Sequence, residues 1–142
     1  MTYKFEKDPI NGLILFYIVL DEMYEFKLML DTGASNTTFD VNALHMASYP
    51  IGNTTEAGMV ETANGIVEVG IIETDVISAF GHIVRNMKVQ TYDFLAHGIL
   101  SDYEGVLGLD FFENTAFRID MKNQTIEVEV LKSVGLNTSN PQ

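Results

Sequence analysis

The chain has 142 residues, 46% of them hydrophobic, and its 20 acidic against 8 basic side chains give a formal net charge of −12. That length and hydrophobic content fit a single domain with its own core and exclude a disordered chain. The acidic balance repels phosphate backbones and argues against nucleic acid as a partner, and the absence of cysteine excludes disulfides, thiolate chemistry and cysteine-based zinc sites.

From Met1 to Asp8 there is no secretory pattern, and the apolar run Gly12 to Leu20 is too short to span a bilayer. The expectation is a soluble, cytoplasmic protein with no membrane partner. Leu13 to Leu20, rich in Ile, Leu, Phe, Tyr and Val, predicts a strand. After the short connection Asp21-Glu22-Met23, a second strand runs from Glu25 to Leu30, alternating Phe26, Leu28 and Leu30 with Glu25, Lys27 and Met29. This hairpin delivers Asp31-Thr32-Gly33-Ala34-Ser35 at its exit.

Placing an ionisable Asp after Met29 and Leu30 is costly unless hydrogen bonds or a partner charge compensate. Thr32 supplies a hydroxyl, Gly33 permits backbone geometry that a side chain would block, and Ala34 keeps the approach narrow. Such a carboxylate, held at a strand end by small neighbours, suits acid–base catalysis. The same tripeptide also occurs as an ordinary Asx-type turn.

Thr37 to Phe39 predicts a short strand, and Asp40 an N-cap for a short helix from Val41 to Met46. Tyr49 to Thr55 predicts a loop. Asn64-Gly65 is the strongest hairpin signal, with arms Met59 to Ala63 and Ile66 to Val76. Phe80-Gly81-His82 predicts a turn and Ile83 to Tyr92 one strand. Val106-Leu107 predicts a buried strand, followed by a short helix from Phe111 to Thr115. A last hairpin, Phe117 to Met121 and Thr125 to Leu131, turns at Lys122-Asn123-Gln124, and the polar stretch Gly135 to Gln142 predicts a frayed tail. Short strands punctuated by turns indicate a mainly β domain that closes on itself.

Three features follow in order: a hydrophobic strand ending in Asp31-Thr32-Gly33-Ala34-Ser35, a hairpin tipped by Ala63-Asn64-Gly65, and Val106-Leu107-Gly108-Leu109-Asp110 leading into a short helix. From about Leu13 to Val130 the chain resembles the retropepsin-like aspartic proteases, the single-domain relatives of pepsin. The resemblance implies a closed, barrel-like acid protease fold with a flap hairpin and one or two short helices. Residues 1–134 would form the protease domain and 135–142 a flexible tail.

The implied function is an aspartic endopeptidase that hydrolyses peptide bonds in an extended peptide or protein substrate, without a cofactor or metal. Two carboxylates are needed, one to take a proton from water and one, protonated, to polarise the scissile carbonyl. The chain has one Asp-Thr-Gly and no Asp-Ser-Gly, so the resemblance implies a homodimer pairing Asp31 with its copy on the axis. Asp31 would be the acid/base, the Thr32 hydroxyl would bond to the partner's backbone, and Gly33 would let the backbone approach the carboxylates. Ala34 and Ser35 would contact the substrate backbone, with Ser35 standing where retroviral members often carry an acid. Ala63, Asn64 and Gly65 would tip a flap that closes over substrate and excludes water. Val106, Leu107 and Gly108 would support the Asp31 loop, and Asp110 would cap the helix that follows.

His45, His82 and His97 lack ligand spacing, and Ser35 and Ser101 lack the elbow context of a hydrolase nucleophile. The reading from a different class is a non-catalytic, dimeric peptide-binding module on the same fold. A third is a β-barrel unrelated to proteases.

Overall fold

The computed structural model describes residues 1–51, 56–62 and 65–131, with side chains outside residues 56–68. The chain opens with strands β1 (Thr2–Lys4) and β2 (Glu6–Lys7). The first long hairpin is β3 (Ile14–Leu20) and β4 (Tyr24–Leu30), paired antiparallel with Ile18 opposite Phe26. Phe16, Ile18 and Leu20 alternate inward on β3, as Phe26 and Leu28 do on β4, and all five are buried. The hairpin turns through Asp21 and Glu22, both at positive φ (52° and 60°). The Asp21 carboxylate accepts from the backbone N–H of Asp75 and Val76 (2.8 and 3.0 Å) and from the Tyr49 hydroxyl (2.7 Å). These bonds offset the unfavourable backbone of the turn.

After residue 37 come β5 (Thr38–Asp40) and helix α1 (Val41–Met46), whose N-cap is Asp40 as expected, its carboxylate accepting from Asn42 N–H at 3.3 Å. The remaining strands are β6 (Glu56–Thr62), β7 (Gly65–Glu73), β8 (Val76–Ala79), β9 (His82–Arg85), β10 (Lys88–Tyr92), β11 (Gly105–Leu107), β12 (Thr115–Asp120) and β13 (Thr125–Val130). A 3-10 turn spans Leu109–Phe112, between β11 and β12.

Among the described residues, ten strands form one sheet in the order β6-β7-β10-β5-β11-β4-β3-β8-β9, with β2 on β3. The sheet curls into a half-barrel, fulfilling the mainly β expectation. Its centre is the insertion of β11 between β4, to which it is parallel, and β5, to which it is antiparallel. The connection from β4 to β5, residues 31–37, must therefore cross the end of β11. A smaller sheet, β1-β13-β12, closes one side of the core through Ile126, with Phe117 stacked on Phe112 at 4.2 Å. The core joins Phe26, Phe39, Leu44, Ile77, Leu107 and Phe111, all fully buried. Each such side chain stabilises the fold by about 1.5–3 kcal/mol relative to exposure.

Several boundaries differ from the sequence expectations. Asn86 at positive φ (57°) splits the predicted strand Ile83 to Tyr92 into β9 and β10, and β8 emerges as the partner of β9 across a turn at Phe80 and Gly81 (φ 54° and 73°). Gly65 pairs with Thr62 and begins β7, one residue before the predicted arm at Ile66. The two N-terminal strands carry no strong pattern and were not expected. The predicted helix Phe111 to Thr115 is the earlier 3-10 turn, and Thr115 already pairs with Val130. Ala63, Asn64 and the tail 135–142 lie outside the described residues. No described helix is long and apolar enough to cross a membrane.

Candidate active site

The segment after β4 is fixed from three directions. Asp31 N–H donates to Leu107 O (3.1 Å), continuing the β4–β11 pairing by one residue. The Asp31 carboxylate accepts from Gly33 N–H at 2.9 Å, and Ala34 N–H returns to Asp31 O at 3.1 Å, making a tight turn. A Cβ on Gly33 would stand 3.2 Å from the carboxylate oxygen, closer than most side chains tolerate. The Gly33 amide reaches the acid because no side chain intervenes.

Beneath the turn runs the chain leaving β11. Leu109 N–H donates to Ala34 O (2.8 Å) and Asp110 N–H to Ser35 O (3.2 Å). Gly108 lies so close that a Cβ there would meet Asn36 C at 2.7 Å and Ala34 O at 2.8 Å. Gly108 N–H donates to the Thr37 hydroxyl (3.1 Å), and that hydroxyl donates to Asp110 Oδ1 (2.7 Å) while Thr37 N–H donates to Oδ2 (2.8 Å). Thr37 is completely buried. The N-cap of the 3-10 turn is Gly108, without a side-chain bond. Asp110 is therefore not the cap expected from sequence; its carboxylate clamps the far end of the Asp31 loop instead. Val106 and Leu107 pair with Met29 and Leu30, as their supporting role required.

Asp31, Ala34 and Ser35 open onto a cleft of about 400 Å³ that also takes in Gln90, Tyr92, Phe94, Ile99, Tyr103 and Val106. Burial, then the negative charges of Asp102 and Asp31, hold the Tyr103 phenol above its ordinary pKa. Among the described residues Asp31 has no hydrogen bond to a second carboxylate, and no cluster of three or more His, Asp or Glu side chains is placed to hold a metal. The Asp31 carboxylate is thus oriented by an amide at the edge of a cleft with both apolar and polar lining.

Residues 21–114, two thirds of the chain, match the family described as "gag-polyprotein putative aspartyl protease". The chain belongs to this family. No curated protein matches the sequence significantly. Among solved structures, a retropepsin-like aspartic protease from Rickettsia conorii aligns with a TM-score of 0.65 at 21% identity, covering 92% of this chain and 94% of that one. The EIAV protease, complexed with the inhibitor HBY-793, aligns with a TM-score of 0.55 at 14% identity, covering 76% of this chain and 92% of that one. At these identities the likeness concerns the fold, which is that of the retropepsin-like aspartic proteases.

Of the expected site residues, Asp31, Thr32, Gly33, Ala34 and Ser35 sit together in one turn, and Gly65 begins β7. Sequence reasoning missed Thr37 and the true role of Asp110, which lie 73 residues apart and meet only through the β11 insertion. It also missed the aromatic side of the cleft. Tyr92 and Phe94, two residues apart at the end of β10, were the available signal.

Proposed function

We propose that the chain is a homodimeric aspartic endopeptidase, hydrolysing peptide bonds by a water activated between Asp31 and its symmetry mate. The observation that carries this is Asp31 itself, oriented by Gly33 N–H and opening onto the cleft with no second carboxylate bonded to it among the described residues. Thr32, Gly33, Ser35 and Asn36 are exposed around it, Leu109 beside them is 43% exposed, and the Thr32 hydroxyl has no hydrogen-bond partner among the described residues. This surface suits a two-fold contact that brings the same turn of a second copy against it. One Asp31 then takes a proton from water while the other, protonated, donates to the scissile carbonyl. Two adjacent carboxylates cannot both ionise, so the pair shares a proton and titrates as a unit. Ala34 and Ser35 contact the substrate backbone.

The test is digestion of a mixture of unstructured peptides from acidic to neutral pH by the wild type and by Asp31→Asn, with products read by mass spectrometry. Cleavage by the wild type alone, from protein sedimenting as a dimer, supports the proposal. Folded wild type that binds peptides but cuts none would favour the non-catalytic module. Cleavage that survives Asp31→Asn would refute the assignment of the acid.

A further inference from the structure

Of the polar groups around the cleft, the Tyr103 phenol is one that the proposed reaction leaves without a role. Tyr103 lies next to the last residue of the long connection from β10 to β11, and that connection is braced at both ends. At its start, Asp93 Oδ1 accepts from Ala96 N–H and from the Asn42 side-chain amide, both at 2.9 Å, and His97 stacks on Tyr92 at 4.2 Å. At its end, Glu104 is locked into β4. Its N–H donates to Lys27 O at 2.6 Å and its side chain accepts from Lys27 N–H at 2.8 Å, while its carbonyl accepts from Asp40 N–H at 2.9 Å. The Tyr103 carbonyl accepts from the Ser101 hydroxyl at 2.9 Å, and its ring stands edge-on to Phe94 at 6.3 Å. The ring is thereby fixed beside the cleft.

The hydroxyl at the tip of this half-buried ring has no hydrogen-bond partner among the described residues and is reached by solvent, which leaves it free to bond an incoming group. Burial and two nearby carboxylates disfavour the phenolate, so the group is an O–H donor throughout the working range of the site. An extended peptide crossing the cleft carries backbone carbonyls that lose water on entering it and need a donor in exchange. Resting on the proposal that this cleft holds peptide, we propose that Tyr103 is a substrate-binding residue whose hydroxyl donates to a backbone carbonyl of the bound peptide, on a ring braced by Phe94.

The experiment compares two dimeric proteins, Asp31→Asn and Asp31→Asn with Tyr103→Phe, in binding a fluorescein-labelled decapeptide with Phe-Leu at its centre. The first substitution prevents turnover, and the second keeps the ring packing, which equal thermal melts verify. One neutral hydrogen bond corresponds to about a five-fold weakening of Kd. In the Asp31-intact background the same change raises KM by a similar factor at constant kcat. A loss of about two-fold or more supports the assignment, and a smaller one overturns it while leaving the peptide cleft intact. If Asp31→Asn with Tyr103 intact binds no peptide, the reading of the cleft itself fails and Tyr103 falls with it.

Discussion

Replacing Asp110 tests whether the loop that carries Asp31 is held from below. In the folded chain its carboxylate accepts from Thr37 N–H at 2.8 Å and from the Thr37 hydroxyl at 2.7 Å. Hydrogen bonds to a charged acceptor contribute about 1.5–3 kcal/mol each. Asp110→Ala removes both and leaves two donors on a fully buried residue. Asp110 itself is half-exposed, so water can enter the vacated space and recover part of the loss. The expected destabilisation is therefore about 2–4 kcal/mol for Asp110→Ala. Asp110→Asn keeps one acceptor oxygen but turns an amide donor toward Thr37, and should cost about 1–2 kcal/mol. Urea unfolding followed by circular dichroism, which suits a chain without tryptophan, gives these values as shifts in midpoint at unchanged slope. Protein concentration is held fixed, because the proposed dimerisation would add to apparent stability. At urea-free conditions, where the variants remain folded, peptide cleavage should still fall, because the loop loses its far anchor. An Asp110→Ala protein that unfolds within about 0.5 kcal/mol of the wild type would refute the clamp.

Gly108→Ala places a methyl group 2.7 Å from the backbone of Asn36, so the loop must move. We expect a loss of about 1–3 kcal/mol together with cleavage activity, and a melting curve matching the wild type would count against the close approach. His82 is buried, its Nε2 donating to Phe111 O at 3.1 Å, and burial lowers its pKa below the ordinary 6.5. The unfolded chain therefore takes up this proton first, so the contribution to stability is complete above pH 6.5 and lost as pH falls through the folded-state value. His82→Gln keeps an N–H donor and abolishes the titration. Urea midpoints at pH about 7.5 and about 5 should differ less in that variant than in the wild type, and an unchanged difference would exclude His82 as a source.

The sequence was most legible where one local pattern decides the structure. The β3–β4 hairpin follows from alternation, and Asp40 capping α1 follows from an acid before a short apolar helix. Asp31 to Ser35 form one turn because the tripeptide encodes it, with the amide of Gly33 reaching back to the acid. Legibility ended where distant segments meet. An acid after Leu-Gly-Leu resembles a helix cap, and only the insertion of β11 places it against Thr37. The break at Asn86 was obscured because apolar residues continue on both sides of it. Tyr103 is an unremarkable tyrosine in the sequence; its place beside the cleft depends on Glu104 being bolted to β4.

The placement of β11 also has a temporal consequence. Strands β4 and β5 cannot join each other directly, and must wait for a segment that pairs across a separation of 77 residues. Pairings of such long range form slowly, because loop closure must precede the contacts that reward it. During synthesis the ribosome will have released Asp31 long before Gly108 and Asp110 emerge to seat its turn. A nascent chain that stops short of residue 110 therefore carries Asp31 without the segment that seats its turn.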